Sequence, residues 1–277
     1  MEMVNMSNLY QQLYDTHQKL QHAKPLVLNL TNYVTQDFMA NVLLALGCAP
    51  IMSESVEELA ELTTLAHSLN LNIGTLDKQF ACRAVDASKL MQQQNKCVVL
   101  DPVGAGATHS RTKLAQELLP LANIVRGNAS EIMALNSSSF SSYGVESSVE
   151  SLSAMLSAQN IVKQTQKTIV VSGKIDLIHA PHVNYQNKLG TELMTKVTGM
   201  GCCLSAVIAG FAAVSKDYAL ASYLAIVYYT LCAEQAARDT FAPASFKSKF
   251  IDCLYQPDWA WFESRIKHIS QKEDTKC

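Results

Sequence analysis

A chain of 277 residues, 48% of them hydrophobic and 17% charged, can bury one large α/β core and is not a globally disordered sequence. Its formal charge of -2 offers nucleic acid no basic surplus and directs attention to a small-molecule ligand. The eight cysteines include no Cys-x-x-Cys pair, and Met1 to Leu20 is polar and mixed, so the expectation is reduced thiols, no structural zinc and a cytoplasmic protein.

In chain order, the first β-branched run, Leu26 to Leu30, predicts a strand ending in Asn29-Leu30-Thr31-Asn32-Tyr33-Val34-Thr35. Helix spacing follows over Phe38 to Leu46, then Gly47-Cys48-Ala49-Pro50-Ile51-Met52, then a second helix over Val56 to Ala66. A strand over Leu69 to Ile73 ends in Asn72-Ile73-Gly74-Thr75. Amides, hydroxyls, a thioether and open backbone at these ends suit a neutral, partly apolar ligand. Met52 as core packing and Asn32 as a turn stabiliser are the plainer alternatives.

Helix spacing over Asp77 to Gln94 precedes the strand Cys97 to Leu100, and Asp101-Pro102-Val103-Gly104-Ala105-Gly106 follows it directly. A carboxylate at a strand tip before a glycine loop suits a magnesium ion that bridges phosphates, or merely caps a turn. After a helix over Arg111 to Leu119, the strand Ile124 to Arg126 runs into Arg126-Gly127-Asn128-Ala129-Ser130-Glu131 and a helix over Ser130 to Leu135. Asn128 and Glu131 have capping-box spacing, while Arg126 and a second carboxylate could serve a phosphate and its metal. Ser137 to Ser148 reads as a mobile surface insertion, followed by a helix over Val149 to Gln164. The strand Thr168 to Val171 ends at Ser172-Gly173-Lys174, and His179 and His182 flank Pro181 in a hairpin, where they read as solvent-facing.

Thr198-Gly199-Met200-Gly201-Cys202 precedes a long apolar run, which predicts a buried helix starting near Gly201. Its unpartnered first amides would attract an anion, and Cys202 in the first turn would be biased toward thiolate; a plain glycine turn is the alternative. The apolar stretches Cys203 to Val214 and Tyr218 to Ala233 are each shorter than the ~20 residues of a membrane span and read as core helices. The tail from Lys267 to Cys277 is expected to fray. Such alternation builds a mainly parallel sheet with helices on both faces, binding ligands beyond the strands' carboxyl ends. No linker interrupts residues 1–277, so one domain is expected.

Seven segments together carry a resemblance: Asn29-Leu30-Thr31-Asn32, Leu44-Ala45-Leu46-Gly47, Pro50-Ile51-Met52, Asn72-Ile73-Gly74-Thr75, Leu100 to Thr108, Arg126 to Glu131 and Lys196 to Cys202. In this order, from about Pro25 to Phe246, the chain resembles the hydroxyethylthiazole kinases of the ribokinase-like superfamily. The resemblance implies a ribokinase-like fold and ATP-dependent phosphorylation of the alcohol of 4-methyl-5-(2-hydroxyethyl)thiazole for thiamine phosphate synthesis. It implies thiazole contacts from Met52, Gly199, Asn32 and Gly74, and ATP contacts from Arg126, Ser172, Asp101 and Gly201. Magnesium would be organised by Asp101 and Glu131, and Cys202 would approach the reacting hydroxyl in place of the superfamily's catalytic aspartate. A homotrimer is implied as well. Two departures accompany the match: Ser172 stands where threonine is more usual, and Met200 replaces an alanine and is expected to narrow the anion pocket. A kinase for another vitamin alcohol and a non-catalytic metabolite sensor are the rival readings.

Overall fold

The computed structural model describes residues 8–136 and 147–274; most of the Ser137 to Ser148 segment lies outside them. Eight strands form one sheet: β1 (Leu26–Leu30), β2 (Ala49–Met52), β3 (Ser68–Asn72), β4 (Cys97–Asp101), β5 (Ile124–Asn128), β6 (Thr168–Ser172), β7 (Asp176–His179) and β8 (Asn184–Asn187). Their order is β2-β1-β3-β4-β5-β6-β7-β8, parallel from β2 to β6 and closed by the antiparallel pair β7 and β8. This is the mainly parallel α/β sheet expected from the alternation.

The central strands are apolar on both faces, as a doubly covered sheet requires. Val27, Val99, Ile124 and Val170 face one cluster of buried side chains, while Leu28, Val98, Val125 and Ile169 face the other. The first cluster packs beneath α1 (Leu9–Ala23), α2 (Gln36–Leu46), α8 (Met200–Ala212), α9 (Tyr218–Ala237), α10 (Pro243–Tyr255) and α11 (Trp259–Asp274). The second lies beneath α3 (Leu59–Leu65), α4 (Lys78–Gln93), α5 (His109–Leu118), α6 (Ala129–Asn136) and α7 (Ser147–Thr165). The two apolar stretches are α8 and α9, both buried, and no described helix is long and apolar enough to cross a membrane. Asp217 starts α9 by accepting a hydrogen bond from the Leu220 amide at 3.0 Å.

Three expectations change. The tail from Lys267 is helical through Asp274 as the end of α11. Gly47 to Met52 contains a strand rather than only a loop, and β2 tolerates Pro50 because it lies at the sheet's edge. His182 is exposed in the β7–β8 turn, but His179 is buried, with Nδ1 2.8 Å from Asn184 Oδ1, and burial lowers its pKa.

A further buried histidine fixes the N-terminal helix. Leu9, Leu13, His17 and Leu20 form the inward stripe of α1, and the His17 ring lies 4.9 Å from Tyr228 and 5.1 Å from Trp259. Burial lowers its pKa to about 4. A histidine neutral in the fold supports stability above its unfolded pKa of about 6.5, and that support is lost as pH falls toward 4. At pH 5 the penalty reaches about 2 kcal/mol. His17→Phe is therefore expected to lose roughly 5 °C less in melting temperature than the parent between pH 7 and pH 5, read by calorimetry. Equal acid losses would refute this account.

Candidate active site

Beyond the carboxyl ends of β1, β3, β4, β5 and β6, a hydrogen-bonded chain of polar side chains lies between the sheet and the start of α8. Asp101 ends β4 and is fully buried; its Oδ2 accepts from Asn72 Nδ2 and from Ser205 Oγ, each at 2.9 Å. Arg126 Nη1 stands 3.7 Å from the same oxygen, and Arg126 Nε donates to Ser172 Oγ at 2.9 Å. On the other side, Asn72 Oδ1 accepts from Asn32 Nδ2 at 2.8 Å and from the Gly74 amide at 3.1 Å. Thr35 Oγ1 donates to Asn32 Oδ1 at 3.0 Å.

The first turn of α8 completes the site. Gly199 precedes the helix with φ +91°, where a side chain would be strained and a Cβ would come within 2.7 Å of Thr35 Cγ2. No side chain caps this start. A Cβ on Gly201 would lie 2.8 Å from Arg126 Nη1, so the missing side chain is what lets the guanidinium rest against the helix start. Open amides, the positive end of the peptide dipoles and a fixed cation together make an anion-binding corner.

Burial pushes the Asp101 carboxyl up to about 6, against the lowering effect of Arg126 and with a further push from Glu131. Its Oδ1 is buried without a hydrogen-bond partner. Glu131 realises the capping box: Oε2 accepts from the Asn128 amide at 2.8 Å, and the Glu131 amide donates to Asn128 Oδ1 at 2.9 Å. Its Oε1 also accepts from the Gly104 amide at 3.0 Å, which ties the loops after β4 and β5 together. No group of three or more His, Cys, Asp or Glu could hold a metal among the described residues. Asp101 and Glu131, the former with a free buried oxygen, would nevertheless suit a magnesium ion as hard oxygen donors.

Two expectations about the α8 run are corrected. Cys202 accepts from Asn32 Nδ2 at 3.5 Å, but burial and then the Asp101 charge raise its pKa, so the helix start does not make a thiolate. Met200 does not narrow the anion corner: it is buried, with its sulfur 3.7 Å from Tyr229 Oη and its carbonyl accepting from that hydroxyl at 2.8 Å. It follows that Cys202→Ser keeps the parent's pH–rate profile between pH 6 and 9, with kcat within about tenfold of the parent. An alkaline limb that vanished in the variant would contradict this.

Asn32, Gly74, Asp101, Arg126, Ser172, Gly199, Gly201 and Cys202 thus converge, with Glu131 joined through Gly104. Met52 stands apart at the end of β2, opposite Asn29 in the strand register, and packs against the same apolar cluster as Cys202. Sequence reasoning missed Ser205, and it placed Asn72 at a polar strand end without its bond to Asp101. The signal for Ser205 was a polar residue within an otherwise apolar helix.

Strand order, antiparallel edge and anion corner define a ribokinase-like protein. Solved relatives of that fold include a Bacillus subtilis pyridoxal kinase, at TM-score 0.56 and 14% identity over 79% of this chain and 93% of that one. Residues 17–258 match the Hydroxyethylthiazole kinase family, and the chain belongs to it. It is 40% identical to hydroxyethylthiazole kinase of Chlamydia caviae over 91% of this chain and 97% of that protein. The same enzyme of Vibrio parahaemolyticus is 40% identical over 94% and 98%. The hydroxyethylthiazole kinase structure from Pyrococcus horikoshii superposes at TM-score 0.81, with 33% identity over 89% of this chain and 93% of that one.

Proposed function

We propose that this protein transfers the γ-phosphoryl group of ATP to the primary alcohol of 4-methyl-5-(2-hydroxyethyl)thiazole, giving the phosphate used in thiamine phosphate synthesis. Membership of the kinase family supports the reaction and its two substrates. The observation that carries the site is the uncapped start of α8 with the Arg126 guanidinium against Gly201, where charge on a transferring phosphoryl group gathers. Arg126, Ser172, Asp101 and Gly201 hold the nucleotide end. Asn32, Gly74 and Gly199 line the thiazole end, with Met52 outside them at the end of β2, and Cys202 meets the hydroxyl as a neutral thiol that orients it. Asp101 and Glu131 would hold a magnesium ion, which would supply neutralisation of phosphate charge.

The protein works in the cytoplasm as one domain over residues 1–277 and assembles as a homotrimer. An ADP-release assay with magnesium and a panel of vitamin-precursor alcohols tests the function. Turnover of the thiazole alcohol above hydroxymethylpyrimidine and pyridoxal is expected; binding of ATP and the thiazole without transfer would refute it and favour a sensor.

A further inference from the structure

The donor and acceptor halves of the site lie on different loops, and one side chain outside both spans them. Arg111, in the first turn of α5, donates from Nη1 to the carbonyl oxygens of Ile73 at 3.2 Å and Val103 at 2.8 Å, and from Nη2 to that of Gly74 at 2.8 Å. Ile73 and Gly74 follow β3 and stand beside Asn32 and Asn72; a Cβ on Gly74 would lie 3.0 Å from Asn32 Cβ and from Asn72 Oδ1. Val103 belongs to the loop after β4, whose next residue, Gly104, gives its amide to Glu131 Oε1 at 3.0 Å. The arginine stem runs through the crook of that loop: a Cβ on Gly104, where φ is +76°, would sit 2.9 Å from Arg111 Cδ. Thr108 Oγ1 accepts from the Arg111 amide at 3.3 Å, anchoring the base of the side chain.

We propose that Arg111 is a positioning residue for phosphoryl transfer, one guanidinium setting the separation between the loop that carries the alcohol and the loop that carries the phosphates and their metal. This rests on the kinase reading above. A planar fork can satisfy carbonyls from two loops at once, which fixes their spacing in a way that a single-point cation cannot. Transfer in line depends on that spacing, whereas each ligand taken alone makes its contacts within one half.

The test compares Arg111→Gln and Arg111→Lys with the parent, each rate divided by the number of sites that bind a non-hydrolysable ATP analogue. Arg111→Gln is expected to lower kcat about 100-fold while both KM values stay within about threefold. Arg111→Lys, reaching one loop at a time, recovers part of the rate and settles about tenfold below the parent. A kcat within about threefold of the parent, or a loss lying in KM, overturns the proposal, and Arg111→Lys decides by the same criteria if the glutamine variant does not fold. A parent protein that binds both ligands and transfers nothing instead overturns the kinase reading.

Discussion

Replacing Arg126 with glutamine is expected to lower kcat/KM about 1000-fold, or about 4 kcal/mol of transition-state stabilisation. Two losses act in the same direction. The cation that lies against the first turn of α8 and donates to Ser172 Oγ at 2.9 Å disappears from the proposed phosphoryl site. Asp101, whose carboxyl burial already pushes up to about 6, also loses the charge that opposes that shift and takes up a proton more readily. Arg126→Lys rescues little, because an ammonium cannot bond Ser172 and face Asp101 and the helix start together. Gly201→Ala is expected to behave alike through a different atom, since its methyl would come within 2.8 Å of Arg126 Nη1 and turn the guanidinium away. Coupled ADP release measures all three. An Arg126→Gln enzyme within about tenfold of the parent would show that the helix start alone carries the charge.

How far the chain could be read before folding depended on whether local pattern or tertiary partners decided each element. β1 matches its predicted run, Leu26 to Leu30, and β3 to β6 lie within a residue or two of theirs, because each carries a short apolar run buried on both faces of the sheet. β2 was hidden by its four-residue length and by Pro50, which only an edge strand accommodates. In α1 the stripe Leu9, Leu13, His17 and Leu20 was available, but polar residues between its members masked the spacing. The site divides in the same way. Glycines, carboxylates and Arg126 stand at predicted strand tips and were found there, since loop chemistry is local. Asn72, Ser205 and Arg111 act through residues 29, 104 and 37 positions away, and no local spacing records such a contact. The thiol shows the limit in another form: the start of α8 favours thiolate, yet burial and Asp101 reverse the sign.

Asn72 is the junction that joins Asn32 and Gly74 to Asp101, and Asn72→Asp is expected to break it. The asparagine donates to Asp101 Oδ2 at 2.9 Å while accepting from Asn32 and from the Gly74 amide, a division of roles that only an amide provides here. A second carboxylate at this distance, in a position with no solvent access, cannot ionise beside Asp101, so the pair shares one proton. The folded-state pKa of that shared proton lies above that of an exposed carboxylate. Stability is therefore retained in acid and lost as pH rises through the pair's pKa. The variant should melt progressively lower than the parent between pH 6 and 9, with a deficit of about 3 kcal/mol at the alkaline end. Its kcat should fall about 100-fold at neutral pH, because an Asp101 that holds or shares a proton neither pairs fully with Arg126 nor serves a metal. Asn72→Leu separates charge from lost bonding: it loses activity too, but its stability deficit should not steepen with pH. Melting curves of Asn72→Asp that run parallel to the parent's across this range would mean that water reaches Asp101, and the buried junction would then be the wrong description of this site.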